Sequence, residues 1–284
     1  MKFTLALLAV LCAVSYALPY ADQMTLANSL IVGRSEDLEL WICKVCDDSN
    51  RPIHAHYVQD TKTHIKSIIS VYNDFVVLAF RYTATALNVW QDLLWVHQVV
   101  DDHTCKKCRV QAEYNRMWGK IRNNVTSDLI EIKRQTGLEK LYITDLSLGG
   151  ALACLSYIDI KYLNIFEDTR VVTYGAPRVG NKKWAAFFEE LSKGQSRRYI
   201  VKGDPIVVMP PSCLTPLCSY RQTGVKIVCK EKQQLCVQEK HTDDLAELAD
   251  HFTEIDSDIK EMKGIMDHVN GYPKIYNFTL EFKQ

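Results

Sequence analysis

Leu141-Tyr-Ile-Thr-Asp-Leu-Ser-Leu-Gly-Gly-Ala-Leu-Ala-Cys154 reads as a short apolar strand that runs into a sharp turn at Ser147 and then into a helix. A serine at such a turn is thrust beyond the end of the strand on strained backbone, its Oγ exposed, and small neighbours let helix and strand approach closely. Gly149 supplies the small residue two positions after the serine, while Gly150, Ala151 and Ala153 keep the helix slim. The G-x-S-x-G pattern wants glycine two positions before the serine, where this chain has Asp145. Together these features point to a nucleophile turn; the alternative is an ordinary strand-to-helix junction with an exposed serine.

Working outward from that turn, Arg170 to Tyr174 is a second strand, Asn181 to Leu191 a helix, and Arg198 to Lys202 a strand that breaks at Gly203-Asp204-Pro205. Upstream, Ser67 to Tyr72 and Phe75 to Arg81 are two apolar strands joined by Asn73-Asp74. Helices are predicted from Gln23 to about Val32, over the Trp- and Leu-rich Thr83 to Trp95, and from about Tyr114 to Arg134, where Gln135-Thr-Gly137 ends the helix. This alternation predicts an α/β fold with a mainly parallel central sheet and helices on both faces, in which sites form at the carboxyl ends of strands. Ser147 and Asp204 both fall at such ends. Pro210 to about Glu239 reads as a cysteine-tied excursion with a hairpin, centred on 212–239. His241 to Asp267 is a charged helical stretch with a solvated face, and a last strand from Ile275 to Phe282 is expected at a sheet edge.

The chain opens Met-Lys-Phe, continues with an apolar run from Leu5 to Val14, and reaches Ser15-Tyr16-Ala17, a small-x-small cleavage pattern. Residues 1–17 therefore read as a secretory signal peptide and 18–284 as a single domain. No other run reaches the roughly 18 apolar residues that would span a bilayer. Lys plus Arg number 34, equal to Asp plus Glu, so the chain lacks the basic footprint of a nucleic-acid partner. Nine of the ten cysteines follow Cys12. In an oxidising compartment they read as disulfides. Cys43-x-x-Cys46 and Cys105-x-x-Cys108 also have the spacing of a four-thiolate zinc site. Cys213 with Cys218 and Cys229 with Cys236 would close local loops, which leaves Cys154 as a buried free thiol. Asn124-Val-Thr and Asn277-Phe-Thr are glycosylation sequons.

A serine hydroxyl needs a histidine to take its proton, and that histidine needs a carboxylate to fix its tautomer. In α/β-hydrolases the chain order is serine, acid, histidine. Asp204 and His268 follow Ser147 in that order, whereas His54, His56, His64, His97 and His103 precede it. His241 and His251 also follow Ser147 but lie in the charged stretch. The backbone N–H of Leu148 is one expected oxyanion donor, and Thr83, after an early strand, the second.

Phe80-Arg-Tyr-Thr-(x)4-Asn88-(x)3-Asp92-Leu93, Thr144 to Ala153, Thr173-Tyr-Gly-Ala-Pro-Arg-Val-Gly-Asn181, Gly203-Asp-Pro-(x)4-Pro-Pro211 and Asp267-His268 resemble, in that order, the class 3 lipases, fungal-type secreted triacylglycerol lipases. The resemblance covers roughly Val71 to Tyr272 and implies an α/β-hydrolase fold with Ser147 as nucleophile, Asp204 as acid, His268 as base and Thr83 with Leu148 as oxyanion hole. It also implies a lid helix over Ala84, Thr85, Ala86, Leu87, Asn88, Val89 and Trp90, and local bridges 43–46 and 105–108 in place of zinc. Three departures stand out. The family's Gly-His-Ser is Asp145-Leu146-Ser147 here, its Phe-Arg-Gly-Thr has Tyr82 for the glycine, and its Val-His-x-Gly-Phe is Val110-Gln111-Ala112-Glu113-Tyr114. The expectation is a secreted, monomeric hydrolase of lipid esters at a lipid–water interface. It calls for neither metal nor organic cofactor, because the triad supplies its own base. A catalytically impaired lipase-like binder and a phospholipid or glycolipid acyl hydrolase are the competing readings.

Overall fold

A computed structural model describes residues 16–32, 41–42, 45–60, 65–81, 97–99, 105–210, 220–230, 234–239, 271–277 and 279–282. In chain order the elements are β1 (Tyr16–Ala17), α1 (Tyr20–Ile31), β2 (His54–Gln59), β3 (Lys66–Val71), β4 (Val76–Phe80), β5 (His97–Val99), β6 (Arg109–Gln111), α2 (Ala112–Thr136) and β7 (Lys140–Leu146). They continue with α3 (Leu148–Leu163), β8 (Asp168–Tyr174), β9 (Gly180–Asn181), α4 (Lys182–Ser192), β10 (Ser196–Val201), β11 (Tyr220–Arg221), β12 (Val225–Lys230), β13 (Leu235–Gln238) and β14 (Thr279–Phe282).

Ten strands form one sheet in the order β1-β14-β13-β12-β10-β8-β7-β4-β3-β2. The central strands β4, β7, β8, β10 and β12 run parallel, and antiparallel pairs flank them. Parallel strands buried on both faces need apolar side chains in succession. Val76-Val-Leu-Ala-Phe80 supplies them, with every residue buried. On one face of the sheet α2, α3 and α4 pack through Trp118, Ile121, Leu152 and Phe188 against Leu78, Leu141 and Ile143. On the other face α1 brings Met24, Leu26 and Leu30 against Tyr142, Val172, Tyr174 and Tyr199. The carboxylate of Asp22, also on α1, is buried and accepts from Arg197 at 2.5 Å and Tyr199 at 2.5 Å, so burial of an acid is offset by two donors. Burial nevertheless holds its pKa above the usual carboxylate value. Asn73 and Asp74 make the expected hairpin turn, closed by the Tyr72 N–H on the Phe75 carbonyl at 2.9 Å. Gly137, at φ 68°, ends α2 in the left-handed conformation that glycine adopts without steric cost.

Three features differ from the sequence-based expectation. The cysteine-tied segment is not an excursion, because β12 pairs in parallel with β10 and carries the central sheet onward through β13. The last strand is only Thr279–Phe282, preceded by a 3₁₀ turn over Tyr272–Asn277, and in the full chain its outer side is paired by β1, two residues that lie inside the expected signal peptide. A second, four-stranded sheet, β11-β9-β6-β5, is made of strands two or three residues long, too short to leave a periodic signal. The Thr83–Trp95 helix and the charged 241–267 helix lie outside the described residues.

Cys105 is bonded to Cys108 and Cys229 to Cys236, the latter pair facing each other across β12 and β13. The first bond uses two thiols of the alternative zinc site. Cys46 is disulfide-bonded, while Cys43, Cys213 and Cys218 lie outside the described residues. Cys154 is a buried free thiol on α3. Asn124 is exposed on α2, and Asn277 ends the 3₁₀ turn. Among the described residues no helix is long and apolar enough to cross a membrane.

Candidate active site

Ser147 stands between β7 and α3 at φ 54° and ψ −127°. This left-handed conformation is strained for any residue with a Cβ and persists only where surrounding structure enforces it. Here the Ser147 N–H donates to the Tyr174 carbonyl at 2.9 Å, anchoring the turn to β8. Behind it α3 begins at once, with the Gly150 N–H on the Ser147 carbonyl at 3.0 Å. A Cβ on Gly150 would lie 2.7 Å from the Ala176 Cβ, so glycine is what lets the helix close on the β8 loop. The Ser147 side chain, expected to be exposed, is buried at 1% exposure, and its Oγ has no hydrogen-bond partner among the described residues. Leu148 opens α3, where the first backbone N–H groups of a helix have no intrahelical acceptor.

Asp145 resolves the first departure from the elbow pattern. It is fully buried on the α3 face of β7. Its Oδ1 accepts the Leu146 N–H at 2.5 Å, and the backbone of Phe80, at the end of β4, also hydrogen-bonds to its carboxyl. Oδ2 has no partner among the described residues. The carboxyl occupies the space over Gly149, where an added Cβ would overlap Oδ2 and stand 2.5 Å from Cγ. Burial pushes the Asp145 pKa well above the usual carboxylate value, and the two backbone N–H groups only partly offset this.

Asp204 lies just beyond β10, two strands along from β7. It is buried; Oδ1 accepts the Ile206 N–H at 2.8 Å and Oδ2 accepts the Tyr272 hydroxyl at 2.5 Å. The Tyr272 hydroxyl in turn accepts the Val201 N–H at 3.2 Å. Burial, then the Asp204 charge, raise the Tyr272 pKa well above 10.0, which keeps it a donor. Its ring lies on Gly175, where φ is +60° and an added Cβ would come within 2.6 Å of the ring. Gly175 therefore allows both the backbone turn after β8 and the close approach of Tyr272. The loop after Asp204 is pinned by fully buried Arg178, which donates through Nη1 to the Val208 carbonyl at 2.7 Å, and by the Gln222 amide on the Ala176 and Val207 carbonyls at 3.1 and 2.6 Å. Ser147 and Asp204 are thus linked through Tyr174, Gly175 and Tyr272. Thr83, the 84–90 lid segment and His268, with His241 and His251, lie outside the described residues.

Sequence reading missed Tyr272 and Gln222. Tyr272 carries a signal, since it follows His268 by four positions, but a lone tyrosine announces no hydrogen bond. Gln111, the third departure, caps α2, its side-chain oxygen accepting the Tyr114 N–H at 2.7 Å.

A mostly parallel sheet, a strained serine turn at the end of a central strand and a buried carboxylate two strands along define the α/β-hydrolase fold. Residues 77–213 match the family model for lipase (class 3). A secreted mono- and diacylglycerol lipase 2 of Gibberella zeae is 30% identical over 162 residues, 48% of this chain and 40% of that protein. The chain spans less than half the length of the curated relatives it matches. In fold it is similar to lipase II from Rhizopus niveus (TM-score 0.64, 19% identity, covering 73% of this chain and 79% of that one). It is also similar to a triacylglycerol lipase whose catalytic centre is described as a serine protease triad (TM-score 0.63, 20% identity, 73% and 78%).

Proposed function

We propose that this chain is a secreted serine hydrolase of acylglycerol esters that works through Ser147, Asp204 and His268. The observation that carries the reading is the strained turn that presents a buried, unpartnered Ser147 Oγ at the start of α3. Ser147 Oγ attacks the ester carbonyl carbon while His268 takes its proton. The Leu148 N–H and Thr83 receive the oxyanion, the glyceride alcohol leaves with the proton from His268, and water then releases the fatty acid from the acyl-enzyme. Asp204, held by Ile206 and Tyr272, orients His268 and stabilises its cation. His268 precedes Tyr272 by four positions, about 14 Å at full extension, so the chain tethers the base within reach of the acid. Relatives named as secreted mono- and diacylglycerol lipases support acylglycerols as the substrates and export of this chain. Residues 84–90 serve as the lid at a lipid–water interface. The protein acts as a monomer, needs no cofactor and has no nucleic-acid partner.

Asp145 bears on the reading of a catalytically impaired binder. It is accommodated over Gly149 while Ser147 keeps its strained turn, so the departure does not dismantle the elbow. Labelling of the purified protein by a fluorophosphonate probe tests the proposal, followed by turnover of mono-, di- and triacylglycerols beside phospholipids and glycolipids. Labelling and turnover abolished by Ser147→Ala are expected. A folded wild type that neither labels nor turns over any of these esters would transfer the reading to a binding protein.

A further inference from the structure

We propose that Asp145 works as a neutral carboxylic acid that fixes the nucleophile turn against the strand leading to the oxyanion loop, and that loss of its proton switches the site off at alkaline pH. The catalytic half of this inference rests on the hydrolase reading above.

The carboxyl joins two pieces of backbone that an α/β-hydrolase must hold in register. Phe80 ends β4, three residues before Thr83, and Leu146 ends β7, one residue before Ser147; both hydrogen-bond to the Asp145 carboxyl. The side chain also fills the space over Gly149, in the first turn of α3. It touches the three segments that set the oxyanion site: the β4 end, the turn and the helix start. As the acid it leaves one buried oxygen unpartnered, Oδ2. As the anion it would be a buried charge with no counterion among the described residues, a far costlier state. The groups that act on it from its neighbours are the two backbone N–H groups, from β4 and from β7. α3 presents the bare Gly149, and the register partner on β8 is Thr173. None of these carries a charge that would balance an anion, in keeping with the strong upward shift that burial imposes.

The placement gives the proton a catalytic consequence. The tetrahedral intermediate concentrates negative charge at the Leu148 N–H, one residue before Gly149. A carboxylate at Gly149 would oppose that charge in a site shielded from water, where electrostatic effects are large. The site therefore works only while Asp145 is protonated, which sets an alkaline limb to its activity.

The test compares wild type, Asp145→Asn and Asp145→Gly for the rate of Ser147-dependent fluorophosphonate labelling and short-chain ester turnover across neutral to alkaline pH. Each variant is read as the ratio of its own rates, so its absolute level does not enter. The wild-type rate should fall roughly tenfold or more on the alkaline side, and both variants should lack that fall. In parallel, infrared spectroscopy of the wild type should show a protonated-carboxyl C=O band at neutral pH, absent from Asp145→Asn and lost with the same midpoint as labelling. An alkaline limb unchanged in Asp145→Asn, or no such band at neutral pH, overturns the inference. Failure of wild-type labelling at every pH overturns the hydrolase reading and the catalytic half of this one, and the band, assigned by its absence from whichever of the two variants folds, still decides the protonation state.

Discussion

Gly149→Ala is the sharpest probe of how Asp145 is accommodated. The three heavy atoms nearest to an added Cβ all belong to the Asp145 side chain: Oδ2, which it would overlap, Cγ at 2.5 Å and Cβ at 2.8 Å. Overpacking of this kind costs about 1–3 kcal/mol. Against it stands the gain of alanine over glycine in a helix, roughly 1 kcal/mol and smaller in a first turn. In the wild-type background the variant should therefore be destabilised by about 1–2 kcal/mol, with loss of labelling at Ser147 two residues away. In an Asp145→Gly background the obstructing atoms are gone, and the same change should be neutral or stabilising by about 0.5–1 kcal/mol. The coupling energy from the double-mutant cycle, measured by urea unfolding with m-values checked for constancy, should be about 1–3 kcal/mol. A coupling below about 0.5 kcal/mol would mean that Asp145 and Gly149 do not share this space, and the placement of the carboxyl would be refuted.

Two further outcomes follow from the neighbourhood of the site. Tyr272→Phe removes a donor from Asp204 and the acceptor of the Val201 N–H; kcat should fall about tenfold with KM nearly unchanged, and stability by about 1–3 kcal/mol. Unaltered kcat would show that Tyr272 packs on Gly175 without positioning the acid. Burial pushes the Cys154 thiol up to about 12, so an alkylating reagent at neutral pH should leave it unmodified in the folded protein and modify it once urea unfolds the chain. Rapid alkylation of the native state would contradict its burial on α3.

The central layer was legible because its signals are local. An apolar run such as Val76 to Phe80 is enough to mark a strand buried on both faces, and Ser-Leu-Gly-Gly after a strand marks the turn. Gln135-Thr-Gly137 ended the long helix where glycine's left-handed φ allowed it. What escaped was written in pairings. β9 and β11 have two residues each, and only the cross-strand partners Tyr220 with Asn181 and Arg221 with Gly180 make them strands. The cysteine-tied segment looked like an excursion because disulfide spacing says nothing of where a hairpin docks; Val225 to Lys230 join the sheet through register with Arg197 to Val201. Tyr272 escaped for the same reason, its role residing in a contact with a residue 68 positions away.

The departures from the family pattern then take on separate physical meanings. Gln111 replaces a histidine yet performs a backbone task, capping α2 at the point where β6 gives way to the helix. Asp145 replaces a glycine and occupies the cleft that a glycine would leave open over Gly149. It gains two backbone donors there and takes on the constraint that it hold a proton. A chain drifting free of a catalytic role would have no reason to keep Ser147 at φ 54°, because that strain costs on the order of 1–3 kcal/mol and contributes nothing to the core. The turn is held all the same, by the Tyr174 carbonyl on one side and the α3 start on the other. On the proposed hydrolase reading, the buried acid beside it constrains the pH at which the site works.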